Sequence, residues 1–189
     1  MRSFLLTLLL LLSTTAVAQK TEYHVNKKAD NLVKFISDAP VEDFEGVTDN
    51  IDGYLTYSGD SWPDGSELYF EVDLRTLDTG IGLRNRHMRE DYLHTEKYPY
   101  AKFRGRIGKA TPSGKDITVQ VNGEMHIHGK KKKMNVSGTL TPSGNAVRIQ
   151  TKFEVNLEDH DIEVPKFMFL KISEIMQMVL DFHLTKVAG

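Results

Sequence analysis

Residues 117–128 read ITVQVNGEMHIH. Ile117, Val119, Val121, Gly123, Met125 and Ile127 fall on one parity. Thr118, Gln120, Asn122, Glu124, His126 and His128 fall on the other. A period of two held over such a run means a strand with one dry face and one wet face. That pattern belongs to antiparallel sheet, since parallel strands are buried on both faces and read as continuous apolar runs. At roughly 3.4 Å per residue the run is about 40 Å long, more than a typical strand.

The same period extends in both directions. Val33 and Phe35 share a parity, as do Ile51, Gly53, Leu55 and Tyr57, and Leu68, Phe70, Val72 and Leu74. Ala101, Phe103, Gly105 and Ile107 follow, then Met134, Val136, Gly138 and Leu140, then Val147, Ile149, Thr151, Phe153, Val155 and Leu157. Met176, Met178, Leu180, Phe182 and Leu184 close the series. Two copies of Thr-Pro-Ser-Gly, at 111–114 and 141–144, each precede a fresh alternating run and read as hairpin tips. His128-Gly129-Lys130 and the stretch 60–65 (DSWPDG) are two more turn candidates. Long amphipathic strands in one meander must cover a dry face and hide their edges, and closing into a barrel does both. The expectation is an all-β, antiparallel barrel of about eight strands with one or two short helical segments. A sandwich is the structural alternative.

Residues 1–18 form a leader: Arg2, the apolar run 4–12, and the small-x-small pattern Ala16-Val17-Ala18. The run is too short for a bilayer-spanning helix. Cleavage would leave 19–189 as a single domain, directed to the periplasm or secreted. The chain holds 24 Lys and Arg, one of them Arg2 in the leader, against 26 Asp and Glu, so the mature balance is −3. That near-neutral balance argues against nucleic-acid binding. With no cysteine in the chain, disulfides, thiolate catalysis and zinc–sulfur sites are excluded.

Residues 83–103, LRNRHMREDYLHTEKYPYAKF, break the alternation. Arg84 to Leu93 has the length of two or three helical turns, with Met88 and Tyr92 at i, i+4 on one face. Pro99 prevents continuation. Two readings of the cations stand. The arginines pair with Glu90, Asp91 and Glu96 on a surface helix, or they form a rim that hydrogen-bonds a phosphate or a polar ring. The apolar stretch 164–175 is read as a lid loop, a short helix or a buried strand.

Other constellations carry less. His126 and His128 sit at i, i+2 and could share a metal, though the pair lies on the wet parity and lacks a third ligand. Lys130 to Lys133 form a solvated turn or attract an anionic membrane surface. No nucleophile elbow and no H-E-x-x-H helix occur.

The residues resemble the YceI-like family of periplasmic, polyisoprenoid-binding proteins. The family pattern appears as Thr79-Gly80, Arg84-Asn85-Arg86-His87-Met88-Arg89, Tyr92-Leu93, Lys97-Tyr98-Pro99 and Phe103. A second part appears as Gly123, Met125, Ile127, His128, Gly129 and Lys130, and an early part as Phe44, Gly53, Leu55 and Tyr57. Asn85 stands where the family has Asp, and Leu93 where it has a second aromatic. Residues 159–170 replace its usual Phe-Gly-x-x-x-Pro stretch. The resemblance implies a lipocalin-like barrel with a lipid tunnel. It further implies non-enzymatic binding, transport or storage of an isoprenoid or other long-chain amphiphile, of polyprenyl phosphate or quinone type.

On this reading the inward ligand contacts are Phe35, Leu55, Tyr57, Phe70, Phe103, Met125, Ile127, Phe153, Met176, Met178 and Phe182. Met88 and Tyr92 face inward from the insert, and Arg84, His87, Arg89 and Tyr92 form the rim. No catalytic residue and no metal ligand is expected, and no cofactor beyond a bound isoprenoid or quinone-like lipid. The partner is a hydrophobic small-molecule lipid, with room for transient membrane-surface contact and for a homodimer. The alternatives are a barrel that binds a protein or a surface without lipid, and a metal-dependent enzyme built on His126 and His128.

Overall fold

Each alternating run can dry one face only by curling against the others, and the strands do so around one axis. The computed structural model describes residues 20–38, 43–59, 61–63, 65–164, 166–167, 170–171 and 173–187. The expected leader lies outside the described residues. The strands are β1 (Lys20–Val25), β2 (Leu32–Ser37), β3 (Phe44–Thr48), β4 (Ile51–Ser58), β5 (Glu67–Asp73), β6 (Tyr100–Ser113), β7 (Asp116–Ile127), β8 (Lys130–Ser143), β9 (Ala146–Asn156), β10 (Lys166–Phe167), β11 (Leu170–Lys171) and β12 (Ile175–Lys186).

Antiparallel pairing runs β1-β4-β5-β6-β7-β8-β9-β12, and β12 returns to β1 through Tyr23↔Lys186, His24↔Thr185 and Val25↔Leu184. The barrel is therefore closed with eight strands, and the sandwich alternative falls away. β2 pairs with the other half of β12 and carries β3 outside it, extending the wall at one end. Asn31, 6% exposed, links β1 to β2. Its side chain donates to Asn26 O at 2.9 Å and accepts from His183 N at 3.0 Å.

The turns follow their chemistry. Gly114 and Gly144 take positive φ at the two Thr-Pro-Ser-Gly tips, as expected. His128 (φ 50°) and Gly129 (φ 78°) form the β7–β8 tip, and two consecutive positive φ values suit the twist of a tight hairpin. A bulge interrupts the β6–β7 register between Ile107 and Lys109. The buried Ser66 hydroxyl takes the Ile107 N–H at 2.8 Å there.

The insert is α1 (Gly82–His87) followed by one π-helical turn over Met88–Tyr92, where Leu93 N bonds Met88 O at 2.9 Å. Strand registers place this insert beyond the end of the barrel where β5 stops and β6, β8 and β12 begin. The β4–β5 loop and the Thr-Pro-Ser-Gly tips lie at the other end. There Trp62 packs on Tyr57 (ring centroids 4.6 Å apart) and on Tyr23 (6.1 Å). Of the stretch 164–175, Lys166–Phe167 and Leu170–Lys171 pair as a small hairpin and Ile175 opens β12. The rest of the run 165–172 lies outside the described residues or their side chains.

Candidate ligand-binding cavity

The dry faces do not meet at the axis. They leave a cavity of about 720 Å³ between the Tyr23–Tyr57–Trp62 stack and the insert. That is within the usual range for small-molecule sites, roughly 300–1,000 Å³. Among the described residues, its lining residues with polar side chains are Arg84, His87, Tyr92, Lys102 and Thr151. Such a surface strips water from an apolar chain at little desolvation cost of its own.

Two phenylalanines owe their position to facing glycines. The Phe103 ring lies on β7 over Gly123, where an added Cβ would stand 2.3 Å from Phe103 Cζ. The Phe35 ring lies over Gly46, where an added Cβ would stand 2.2 Å from Phe35 Cε1. Without those glycines both rings would be pushed toward the lumen. Phe70, directly paired with Phe103, meets Phe182 of β12 edge to face at 4.9 Å.

Phe35, Leu55, Phe70, Arg84, His87, Met88, Tyr92, Phe103, Met125, Ile127, Phe153, Met176, Met178 and Phe182 all line the cavity. Tyr57 and Arg89 do not. Tyr57 lies one step beyond the lumen and closes its far end with Trp62 and Tyr23. Arg89 turns back, and its Nη2 donates to Leu77 O at 2.7 Å. Phe44 at the start of β3, Leu83 in α1, and Leu74, Leu77, Ile81, Leu93, Leu157 and Ile162 between the strands also line the cavity, as do strand residues of inward parity such as Val33, Ile51, Leu68, Val121 and Ile149 that were not among the expected contacts. Val136 lines it from β8, and its parity was already visible beside Met134 and Gly138.

Arg84 stays in the cavity lining while it and Arg89 bond to the chain beside the insert. Arg84 Nε donates to Thr79 Oγ1 at 3.0 Å and its Nη2 to Thr79 O at 2.9 Å, while the guanidinium lies 4.7 Å from the Phe44 ring. Asn85 Oδ1 accepts from Thr79 N (2.8 Å) and Thr79 Oγ1 (2.7 Å). Its Nδ2 donates to Asp78 Oδ1 at 2.7 Å. That amide and the Gly80 N–H hold the Asp78 carboxyl below the usual carboxylate range. Arg84, Asn85 and Arg89 thus fasten the insert to residues 77–79, which are tied to β3 by the reciprocal Val47–Asp78 backbone bonds of 2.9 Å. Ile81 (49% exposed) and Leu83 (55% exposed) line the cavity yet face solvent, so they mark its mouth beside the exposed His87.

The far side of the insert is pinned by imidazoles. His94 Nδ1 and His128 Nε2 share a hydrogen bond of 2.7 Å, and Tyr98 meets the His128 ring edge-on at 4.8 Å. His128 Nδ1 donates to His160 O at 3.1 Å. The proposed pairing of His126 with His128 does not form. β7 ends at Ile127, and His128 turns off the strand at positive φ while His126 stays opposite Lys131. Among the described residues no group of three or more His, Asp or Glu is placed to hold a metal ion.

A family model described as "YceI-like domain" matches residues 23–184. Several solved structures share the fold. One is BcnA of Burkholderia cenocepacia, 17% identical with a TM-score of 0.69, covering 84% of this chain and 98% of that one. A second is a polyisoprenoid binding domain from Saccharophagus degradans implicated in plant cell wall breakdown. It is 16% identical with a TM-score of 0.67, covering 90% of this chain and all of that one. A third is the Campylobacter jejuni YCEI protein, 11% identical with a TM-score of 0.62, covering 79% and 88%. No curated protein shows significant similarity to the chain.

Proposed function

The chain belongs to the YceI-like domain family, and from that premise we propose that it is a non-enzymatic carrier or store for a long-chain amphiphilic lipid of the isoprenoid type, held in the barrel. The observation that carries this reading is the apolar cavity itself, about 720 Å³ and lined by hydrocarbon except at a handful of positions. Each methylene buried there contributes about 0.8 kcal/mol, so ten give about 8 kcal/mol before the cost of ordering the chain. The polar lining groups at the mouth, Arg84 and His87, are where a polar head would sit.

A neutral or weakly charged head suits this mouth better than a diphosphate. Arg84 and Arg89 are committed to Thr79 and Leu77, so the guanidinium rim expected from sequence is largely occupied. The ligand class is therefore a prenyl alcohol or a quinone. The carrier acts outside the cytoplasm, reached through the leader read in residues 1–18.

The test fills the lumen. Met125→Trp and Met178→Trp place bulk where Met125 and Met178 now line the cavity. In a carrier these variants keep their fold and lose uptake of farnesol or ubiquinone. In a barrel that binds no lipid they overpack a filled core and lower stability, by about 1–3 kcal/mol each, with no uptake to lose.

A further inference from the structure

Among the described residues the β8–β9 joint of the barrel wall is incomplete. β7 and β8 pair along their length to Ile127↔Lys130, and β9 and β12 pair to Asn156↔Ile175. Between them, β8 and β9 pair only from Ser143↔Ala146 to Gly138↔Thr151. Toward the insert, residues 130–137 of β8 and 152–156 of β9 have no ladder partner across the joint among the described residues. Thr151 Oγ1, donating to Ser137 O at 2.8 Å, is the last tie.

The register explains the opening. Lys130 and Lys132 stand opposite Ile127 and Met125, which line the cavity, and residues directly opposed share a face. Closing this joint as a ladder would turn two ammonium groups toward hydrocarbon. They reach instead to Asp161 and Asp159 on the turn after β9, each at 2.6 Å. Ile162 of that turn, 4% exposed, packs with Met125, Ile127 and Val155 and fills the wide end of the gap. Met134, on the unpaired stretch of β8, packs against the same cluster. The window is the unpaired seam that remains next to the ladder, flanked by Val136, Gly138, Thr151 and Phe153, all of which line the cavity and are partly exposed.

We infer that this window is a lateral port of the cavity, through which the tail of a ligand too long for the lumen passes. The inference rests on the carrier reading above. The Tyr23–Tyr57–Trp62 stack shuts the far end of the barrel, so the tail of a ligand whose head sits at the mouth has no exit at that end. Three of the window's flanking residues, Val136, Gly138 and Phe153, are apolar, and the Thr151 hydroxyl is spent on Ser137 O, which suits a hydrocarbon. The inward-register charges and the lysine-rich edge of β8 disfavour the other occupant, an added β-strand.

The absence of cysteine allows a direct test. Ser137→Cys, at an exposed edge position beside the window, is labelled with acrylodan; Arg106→Cys, exposed on β6, is the control. Each is loaded with the short prenyl alcohol farnesol or the long prenyl alcohol solanesol, and retention is verified by native mass spectrometry. The port predicts a blue shift of the label at position 137 with solanesol, none with farnesol, and none at position 106 with either. Solanesol retained with the label at 137 unmoved overturns the port and leaves the carrier reading standing. Retention of neither alcohol overturns both. A label at 137 that shifts only as the chain self-associates, without lipid, overturns the port in favour of strand addition.

Discussion

The side-chain oxygen of Asn85 accepts two hydrogen bonds from Thr79, one from the backbone N–H and one from the hydroxyl, at 2.8 and 2.7 Å. Thr79 is buried at 9% exposure, so these donors have no water to fall back on. Asn85→Ala leaves both unpaired, and buried groups so orphaned cost about 1–3 kcal/mol. The loss concentrates in the insert. Hydrogen exchange should show amides of 82–93 losing protection while those of β7 keep theirs. Uniform loss over the barrel would contradict the clasp.

Gly123 sets the width of the lumen. A Cβ at this position meets the Phe103 ring at 2.3 Å and the Arg104 carbonyl oxygen at 2.7 Å, so Gly123→Ala forces the ring inward or shifts β6. Overpacking of this kind costs about 1–3 kcal/mol. A chemical-denaturation midpoint below wild type, together with reduced capacity for a prenyl alcohol, is the expected pair of results.

Acid should act through His160. Burial pushes its imidazole below the ordinary value of 6.5. As pH falls, the unfolded chain therefore takes up the proton first, and stability drops between the ordinary value and the depressed folded one. The contribution is fully retained above the ordinary histidine range. Urea titrations of wild type and His160→Gln at several pH values between neutral and mildly acidic should give a shallower decline for the variant. Asp181 acts in a lower window. Arg148 holds its carboxyl below 3.8, so that contribution survives mild acid and is lost only as pH falls below the ordinary carboxylate value.

The closed end depends on Trp62, the one tryptophan of the chain. Trp62→Ala removes its stacking on Tyr57 and Tyr23 and should cost about 2 kcal/mol, less than a fully buried tryptophan because Trp62 is partly exposed. Thermal unfolding followed by circular dichroism measures it. An unchanged midpoint would mean that the stack does not seal that end.

The barrel was legible because its signal is local. A period of two in β7 and the twin Thr-Pro-Ser-Gly tips each specify a strand or a turn within a dozen residues. The inward residues of strand centres followed from parity, which is why Leu55, Phe103, Met125 and Phe182 were readable. What parity cannot reach are positions decided by partners distant in sequence. Arg89 looks like a rim cation until the Leu77 carbonyl is seen beside it, and Arg84 lines the cavity while also bonding Thr79. Tyr57 has inward parity but lies past the end of the lumen. Lys130 and Lys132 read as a solvated tip, although their register faces inward and only Asp161 and Asp159 draw them away. His126 and His128 share a parity that ends one residue too soon, since the hairpin turns at His128.

A carrier of this kind holds a long apolar chain in its barrel. Native mass spectrometry of the protein, first as gently purified and then after delipidation and incubation with farnesol, solanesol or ubiquinone, tests it most directly. The prediction is a stoichiometric adduct of one lipid per chain that is lost in Met125→Trp. A protein that emerges empty and stays empty with all three lipids would contradict it.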